Sequence, residues 1–514
     1  MLVFGSALVR YSSGWQASGK AGAIGYKMAG WIEHVKGFKK KMKARIIGIR
    51  LGSAFIAALS LLSSSFAQHP AITPKVDERV ELLSIVFRLA GNREYSMSPL
   101  GNYTRDIDSY FAPYKNHPVV VLARKLAAQN GIGYDAVMSM AVHLSPPPAL
   151  RPLVAFSDEV PEKRWGRSNA LKFADLLRDF YQDTHFEKFA SLHRPMYNLA
   201  EESFAATLQS VDLAWFARFY GEKPIERFHV LLGMNNGGGN YGIKVRFRDG
   251  HQEAFAIMGC WTTDSTGNPA YPSDAGYLPT VIHEFNHSFV NPLVERNWTK
   301  FNSAEKVFAP VADRMRSQAY GNAKEMVDES LVRAAVIVYS KASTDPHSLE
   351  LSIRKEEANG FVWMEELYRL LEQYQADRRR YPQFENYMPV VARFYDSLAP
   401  RVSVELANYR NKCVHVIGLR PFANHSRSVD PGSREVIVSF DKPLDPTKGD
   451  PVNYGPKGKS EFPVAKKPEF LPGNKELRLR LDLKPNSSYS FVLAGASSPE
   501  GYPVEDYSVD FQTK

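Results

Sequence analysis

The chain has 514 residues, of which 44 % are apolar and 12 % aromatic, enough to bury more than one core. Its formal charge of +9 invites a polyanion partner, but the first 67 residues hold ten Lys/Arg against Glu33 alone, and the remainder balances at 54 basic and 54 acidic side chains. Outside the leader, a nucleic-acid role has no electrostatic support.

That leader reads as a secretory signal. Lys39-Lys-Lys-Met-Lys-Ala-Arg45 is a basic start, Leu51 to Leu62 an apolar core of signal-peptide length, and Ser65-Phe66-Ala67 a small-x-small cleavage site. Cleavage would leave Gln68 first and no stable membrane span, which predicts a secreted, periplasmic or cell-surface protein. No cysteine follows the cleavage site, so a lipid anchor is not expected. Met42 stands where a signal normally begins, and residues 1–41 read as an upstream extension. Cys260 and Cys413 lack metal-site spacing; one long-range disulfide and two isolated thiols both fit, and neither carries assigned chemistry.

In chain order, helical spacing covers Val76 to Ala90, Tyr103 to Phe111, Pro118 to Gln129 and Tyr134 to His143, followed by a Pro-rich loop at 145–148. Ala170 to Phe180 and the long run Thr184 to Tyr220 are predicted helical, with aromatic stripes that belong to a core. His143, His185 and His193 lack a partner at i+4 and read as structural. The period then becomes alternating: Arg227 to Met234, Gly242 to Arg248 and Gln252 to Met258 predict a small antiparallel sheet. Its Gly-rich connection Asn235-Asn-Gly-Gly-Gly-Asn240 is either a place where a substrate backbone approaches closely or a flexible hairpin tip. Helices return at Ala304 to Gln318, Ala323 to Ser340, Phe361 to Asp377 and Phe384 to Leu398, with a loop through Pro346. From Lys412 only strand patterns remain: Val414 to Leu419, Glu435 to Phe440, Glu476 to Leu481, Tyr489 to Leu493 and Tyr507 to Gln512.

The chemistry concentrates in His283-Glu284-Phe285-Asn286-His287. On a helix, the two histidines stand one turn apart and can offer nitrogens to one zinc ion, with Glu284 beside them for proton transfer. Pro279 suits a first turn, and Asn291-Pro292 ends or kinks the segment. The rival reading is a buried helix whose imidazoles only satisfy core hydrogen bonds, which burying two imidazoles and a carboxylate without a metal makes costly. A catalytic zinc needs a third protein ligand. Glu295 lies beyond Pro292; Glu329 lies on a second amphipathic helix, 323–340, that can pack against the first, and is the favoured ligand. Arg333 shares its face and can orient Glu329, stabilise an oxyanion, or form an ordinary i,i+4 pair.

Residues 76 to about 400 resemble a family of secreted bacterial proteins of unassigned function, through His283-Glu-Phe-Asn-His-Ser-Phe-Val-Asn-Pro292, Asp328-Glu-Ser-Leu-Val-Arg-Ala334 and Asn359-Gly-Phe-Val-Trp363. The motif helix and downstream glutamate are similar to those of gluzincin metallopeptidases, which implies zinc on His283, His287 and Glu329 with Glu284 as base. Residues 420–514 resemble a bacterial Ig-like module, in Val436-Ile-Val-Ser-Phe-Asp-Lys-Pro-Leu-Asp445 and Leu477-Arg-Leu-Arg-Leu-Asp-Leu-Lys-Pro485.

The expected fold class is α+β: after the leader (1–67), a mainly helical zincin-like metallopeptidase domain with a small antiparallel sheet (68–411), then an all-β Ig-like sandwich (412–514). The expected function is zinc-dependent hydrolysis of a peptide or protein substrate, with Arg333, Tyr320 or Tyr339 near the oxyanion. The alternative is a non-catalytic surface or glycan-binding protein with a structural metal. No GxSxG elbow supports a serine esterase.

Overall fold

Helix signals in the first half translate into a series of amphipathic helices, three of which end at a left-handed glycine, Gly91, Gly131 and Gly221. The computed structural model describes residues 72–222, 226–272, 276–318 and 320–514; the leader lies outside them. Strand β1 (Lys75–Val76) leads into α1 (Glu78–Ala90), which Asp77 caps through the amides of Arg79 and Val80 and Gly91 closes at φ 100°. Then follow α2 (Gly101–Tyr110), α3 (Pro118–Asn130), α4 (Asp135–His143), α5 (Arg167–Asp183), α6 (Phe186–Leu208) and α7 (Leu213–Tyr220). The run expected from Thr184 to Tyr220 is thus divided: Asp212 accepts a hydrogen bond from the Trp215 amide and starts α7 afresh.

Three longer strands follow, β2 (Glu226–Gly233), β3 (Asn240–Arg246) and β4 (Gln252–Gly259). The sheet order is β1-β2-β4-β3. β3 and β4 form the expected antiparallel hairpin, but β2 pairs with β4 in parallel, so the sheet is mixed. The reason lies in the Gly-rich connection, which carries the chain past the β4 position and leaves β3 as the outer strand. Because β2 and β3 are not neighbours, that connection is not a hairpin tip. Residues 235–237 are buried, and a Cβ at Gly259 would stand 2.2 Å from the Gly237 carbonyl, so the glycines serve the loop's own packing.

Helix α8 (Tyr277–Asn297) carries the histidine motif. It is followed by α9 (Ala304–Phe308) and α10 (Ala312–Arg316), separated by a 3₁₀ turn at Pro310, then α11 (Ala323–Ser340), α12 (Pro346–Ala358), α13 (Met364–Ala376), α14 (Phe384–Leu398) and α15 (Val402–Lys412). The expected loop through Pro346 is a helix: Pro346 occupies its first turn and Asp345 caps the amides of His347 and Ser348. No helix among the described residues is long and apolar enough to cross a membrane.

The C-terminal strands form two sheets, β5 (Val416–Arg420), β6 (Glu435–Phe440), β9 (Glu476–Arg480) and β8 (Glu469–Phe470) in one, β11 (Tyr507–Gln512), β10 (Ser488–Leu493) and β7 (Val452–Tyr454) in the other. Alternate residues such as Val436, Val438, Leu477, Leu479, Phe491 and Phe511 point inward. Buried apolar residues fall into two groups, one from Val76 to Val402 and one from Val414 to Phe511. The whole is mixed α+β, helical first and all-β last. Cys260 and Cys413 are both buried free thiols.

Candidate metal centre

α8 is helical because apolar side chains recur at its inner face: Val281, Ile282, Phe285, Phe289, Val290, Leu293 and Val294 are all buried. Asn286 fixes its rotation, bonding the Ile282 carbonyl (2.8 Å) and accepting from the Tyr220 hydroxyl (2.6 Å). That rotation sets His283 and His287 side by side toward α11, with their Nε2 atoms 3.2 Å apart. The helix does not end at Pro292 but runs through it to Asn297. Proline lacks the N–H that would bond the Ser288 carbonyl. The Lys244 ammonium, reaching over from β3, stands 3.3 Å from that carbonyl.

α11 packs on α8 and delivers Glu329, fully buried, between the imidazoles. Its Oε1 lies 3.3 Å from His287 Nε2 and its Oε2 3.7 Å from His283 Nε2. Three ligands at zinc bond lengths on a tetrahedron stand about 3.3 Å apart. His287 Nε2 lies close to that spacing from the other imidazole nitrogen (3.2 Å) and from Oε1 (3.3 Å), His283 Nε2 is 3.7 Å from the other carboxylate oxygen, and one ligand atom from each of the three residues lies within 4.8 Å of the others. Glu295, the rival third ligand, pairs instead with Lys324. Among the described residues, His283, His287 and Glu329 form the one group that could hold a metal ion.

The surroundings fit a cation. His287 Nδ1 is 3.0 Å from Asn291 Oδ1; donating its proton there leaves the Nε2 lone pair facing the triad. Glu284 Oε2 is buried without a hydrogen-bond partner, and Glu329 Oε1 faces His287 Nε2 at 3.3 Å. Such an orphaned acceptor is costly unless a cation or ligand meets it. Burial by itself would raise the Glu329 pKa, but His283, His287 and Arg333 outweigh it and hold the carboxyl down to about 2. Burial pushes His283 down to about 3. Burial would lower the His287 pKa too, but Glu329, Glu284 and Asn291 overcome it and raise that pKa, so the centre pairs an ionised carboxylate and a neutral His283 with a His287 that a metal must hold in its neutral form.

Behind Glu329 stands Arg333. Its Nε donates to Glu329 Oε2 (3.3 Å), a terminal nitrogen donates to the Tyr320 hydroxyl (2.8 Å), and another pairs with Glu356. The guanidinium also lies 5.0 Å from the Phe361 ring centre. Neither Arg333 nor Tyr320 lines the cleft in front of the triad. Tyr339 is elsewhere, its hydroxyl accepting from the Asp212 amide at 2.7 Å.

Glu284 faces the other way, into a cleft of about 450 Å³ bounded by Gly242, Lys244, His287, Asn291 and Asp328. A Cβ at Gly242 would stand 2.7 Å from Glu284 Oε2, so only a residue without a side chain leaves that carboxylate its space. Burial lifts the Glu284 pKa to about 8. Asp328, also in the cleft wall, is lifted by burial to about 7 and has an unpartnered Oδ1. The other histidines are placed structurally: His143 Nδ1 is 2.8 Å from the Ser139 carbonyl, and His193 bridges the Phe189 carbonyl and Asp106.

A family model described as a domain of unknown function, DUF4932, matches residues 72–393. The chain belongs to that family. All six predicted site residues of this DUF4932 protein fall within the matched span, as does the sheet whose outer strand borders Glu284. Sequence reading missed Gly242, Asn291, Asp328 and Glu356. Asn291 had a signal, four residues beyond His287 on the same helix face; Gly242 and Glu356 had none, because only the fold brings them near.

No curated protein matches the chain. Among solved structures it is similar to the surface layer protein SbsC, domains 1–6, at 12 % identity over 48 % of this chain and 34 % of that one, TM-score 0.17. It is likewise similar to the S-layer protein rSbsC(31-844), at 12 % identity over 77 % and 46 %, TM-score 0.17. The chain thus spans about a third and under half of these two, and likenesses of that size carry no argument about fold or role.

Proposed function

We propose that this DUF4932 protein is a secreted zinc-dependent hydrolase of peptide bonds, a gluzincin-like metallopeptidase domain followed by an Ig-like module. The observation that carries it is the cluster of His283, His287 and Glu329, one ligand atom from each within 4.8 Å of the others, with the buried Glu284 carboxylate on its cleft side, one of whose oxygens has no hydrogen-bond partner. Zinc held there would polarise a carbonyl and acidify a water. Beside a dication the raised Glu284 pKa is drawn back down, so that the carboxylate can take the proton of the attacking water and pass it to the leaving amine. Asn291 holds the His287 tautomer, while Arg333 and Tyr320 hold Glu329 in place from behind. The outer strand β3, bordering the cleft at Gly242, suits an extended peptide laid alongside it. The basic leader and apolar run support secretion to the periplasm or cell surface, with no nucleic-acid partner.

The test is metal content and turnover together. The protein is expected to bind zinc near one per chain and to lose peptide hydrolysis when a chelator removes it. Glu284→Gln is expected to keep the zinc and lose roughly 10²- to 10⁴-fold in kcat. Full activity of Glu284→Gln would overturn the base assignment; zinc held without turnover on any peptide would return the protein to a metal-braced surface role.

A further inference from the structure

One buried carboxylate in the cleft has no part in the water-activating chemistry. Among the described residues three acids line the cleft, Glu284, Glu295 and Asp328. Glu295 pairs with Lys324, and Glu284 stands at the metal corner with Glu329. The two positive charges of a zinc ion are matched by Glu284 and Glu329, so that corner needs no further acid. Asp328 is then left over. It is only 5 % exposed, and its Oδ1 has no hydrogen-bond partner. A carboxylate oxygen held out of water without a donor is costly unless a bound group supplies one.

The cleft's own cations do not meet that oxygen. Lys324 is held by Glu295 and Arg296 by Glu385 (2.7 Å), while Lys244 stands 3.3 Å from the Ser288 carbonyl and Arg246 is exposed. α8 and α11 run in opposite directions, since Lys324 meets Glu295 whereas Glu329 meets His283 and His287. Asp328, one turn of α11 or about 6 Å beyond Lys324, therefore lies between that ion pair and the metal corner. We propose that Asp328 seats an ammonium group of the substrate, so that the cleft takes peptides bringing a primary amine close to the cleaved bond. Such an amine comes from the peptide's own amino terminus or from a lysine side chain beside that bond. Both present three N–H donors on a compact cation, which suits a carboxylate too deep for water to serve. This rests on the peptide-hydrolase reading for its reaction, but the amine preference is measurable as binding alone.

Tripeptide amides serve as probes, with the amino terminus free or acetylated and with lysine or its uncharged norleucine counterpart at the first or second position. The full zinc-loaded chain is assayed for kcat/KM, and Glu284→Gln for binding without turnover. A hydrogen bond to a charged group is worth a factor of about 10 to 100, so the best ammonium-bearing probe is expected to bind that much more tightly than the acetylated norleucine probe. Preference for a free amino terminus whichever side chain is present assigns the amine to the chain end; preference for lysine among acetylated probes assigns it to the side chain. Asp328→Asn is expected to abolish the preference and Asp328→Glu to keep part of it, each compared at equal zinc content and melting temperature. Equal binding of all probes, no binding of any, or a preference that Asp328→Asn retains would overturn the amine seat. Turnover of all probes at one rate would do so while leaving the hydrolase intact. Amine-selective binding without any turnover would uphold the seat and remove the hydrolase.

Discussion

Arg333 is buried against two carboxylates, a phenol and an aromatic ring, and every one of those contacts lies behind Glu329. Only a planar fork can meet Glu329, Glu356 and Tyr320 at once, so a lysine keeps the charge but not the geometry. Arg333→Lys is therefore expected to weaken zinc binding by about 10- to 100-fold, the usual effect of losing a partner that orients a ligand, read by competition with a chromophoric chelator. At saturating zinc its kcat should fall far less than that of Glu284→Gln; a collapse of kcat with zinc affinity unchanged would make Arg333 an oxyanion donor instead. At this scale the sequence was most informative where chemistry follows a local period. His283, Glu284 and His287 are readable from helical spacing, and Glu329 from a second amphipathic helix of the right length. Gly242 is invisible beforehand because its importance lies in the room it leaves for a side chain 42 residues further on, where a Cβ would stand 2.7 Å from Glu284 Oε2.

The elements themselves were legible wherever capping or spacing spoke clearly: α11 and α14 have the bounds their periodicity predicts. Strand alternation, by contrast, says which residues pair but not with which neighbour, and the parallel β2–β4 ladder depended on how a buried loop travels. That loop is held by α1. Glu81 Oε1 accepts from the Met234 amide (2.5 Å) and Oε2 from the Tyr103 hydroxyl (2.6 Å), which in turn meets the Tyr197 hydroxyl at 2.7 Å. Burial lifts the Glu81 pKa from 4.5 to about 7 despite these donors. A carboxyl whose folded pKa lies above its unfolded one contributes its full share below pH 4.5 and loses it as pH rises through about 7. The wild type is accordingly expected to lose about 3 kcal/mol relative to Glu81→Gln between pH 4.5 and pH 8. Denaturant unfolding of both proteins across that range checks it; parallel pH profiles would show that Glu81 stays ionised without strain.

At the scale of the described chain, the helical and the all-β cores meet through mixed contacts at α12 and Tyr502. Arg354 on α12, paired with Glu357 at 2.9 Å, lies 5.1 Å from the ring centre of Tyr502, and Gly501 leaves room for Leu351. The change from helical to alternating pattern near Lys412 announced the second core, but nothing in the alternation announced this seam, since Arg354 reads locally as one more helix-surface charge. Residues 68–412 alone are expected to bind one zinc and melt cooperatively, with small-peptide turnover close to that of the full chain. Calorimetry and zinc titration of the fragment check this; loss of zinc with the β region would make the second core part of the site's support. One consequence of Pro292 reaches beyond its own helix. The acceptor that meets Lys244 is a main-chain carbonyl stripped of its usual donor by a ring nitrogen that carries no hydrogen, so its availability is written at position 292 and not at 288. Replacing the Ser288 side chain leaves that contact in place, while an ordinary residue at 292 would reclaim the oxygen and take this acceptor away from the ammonium.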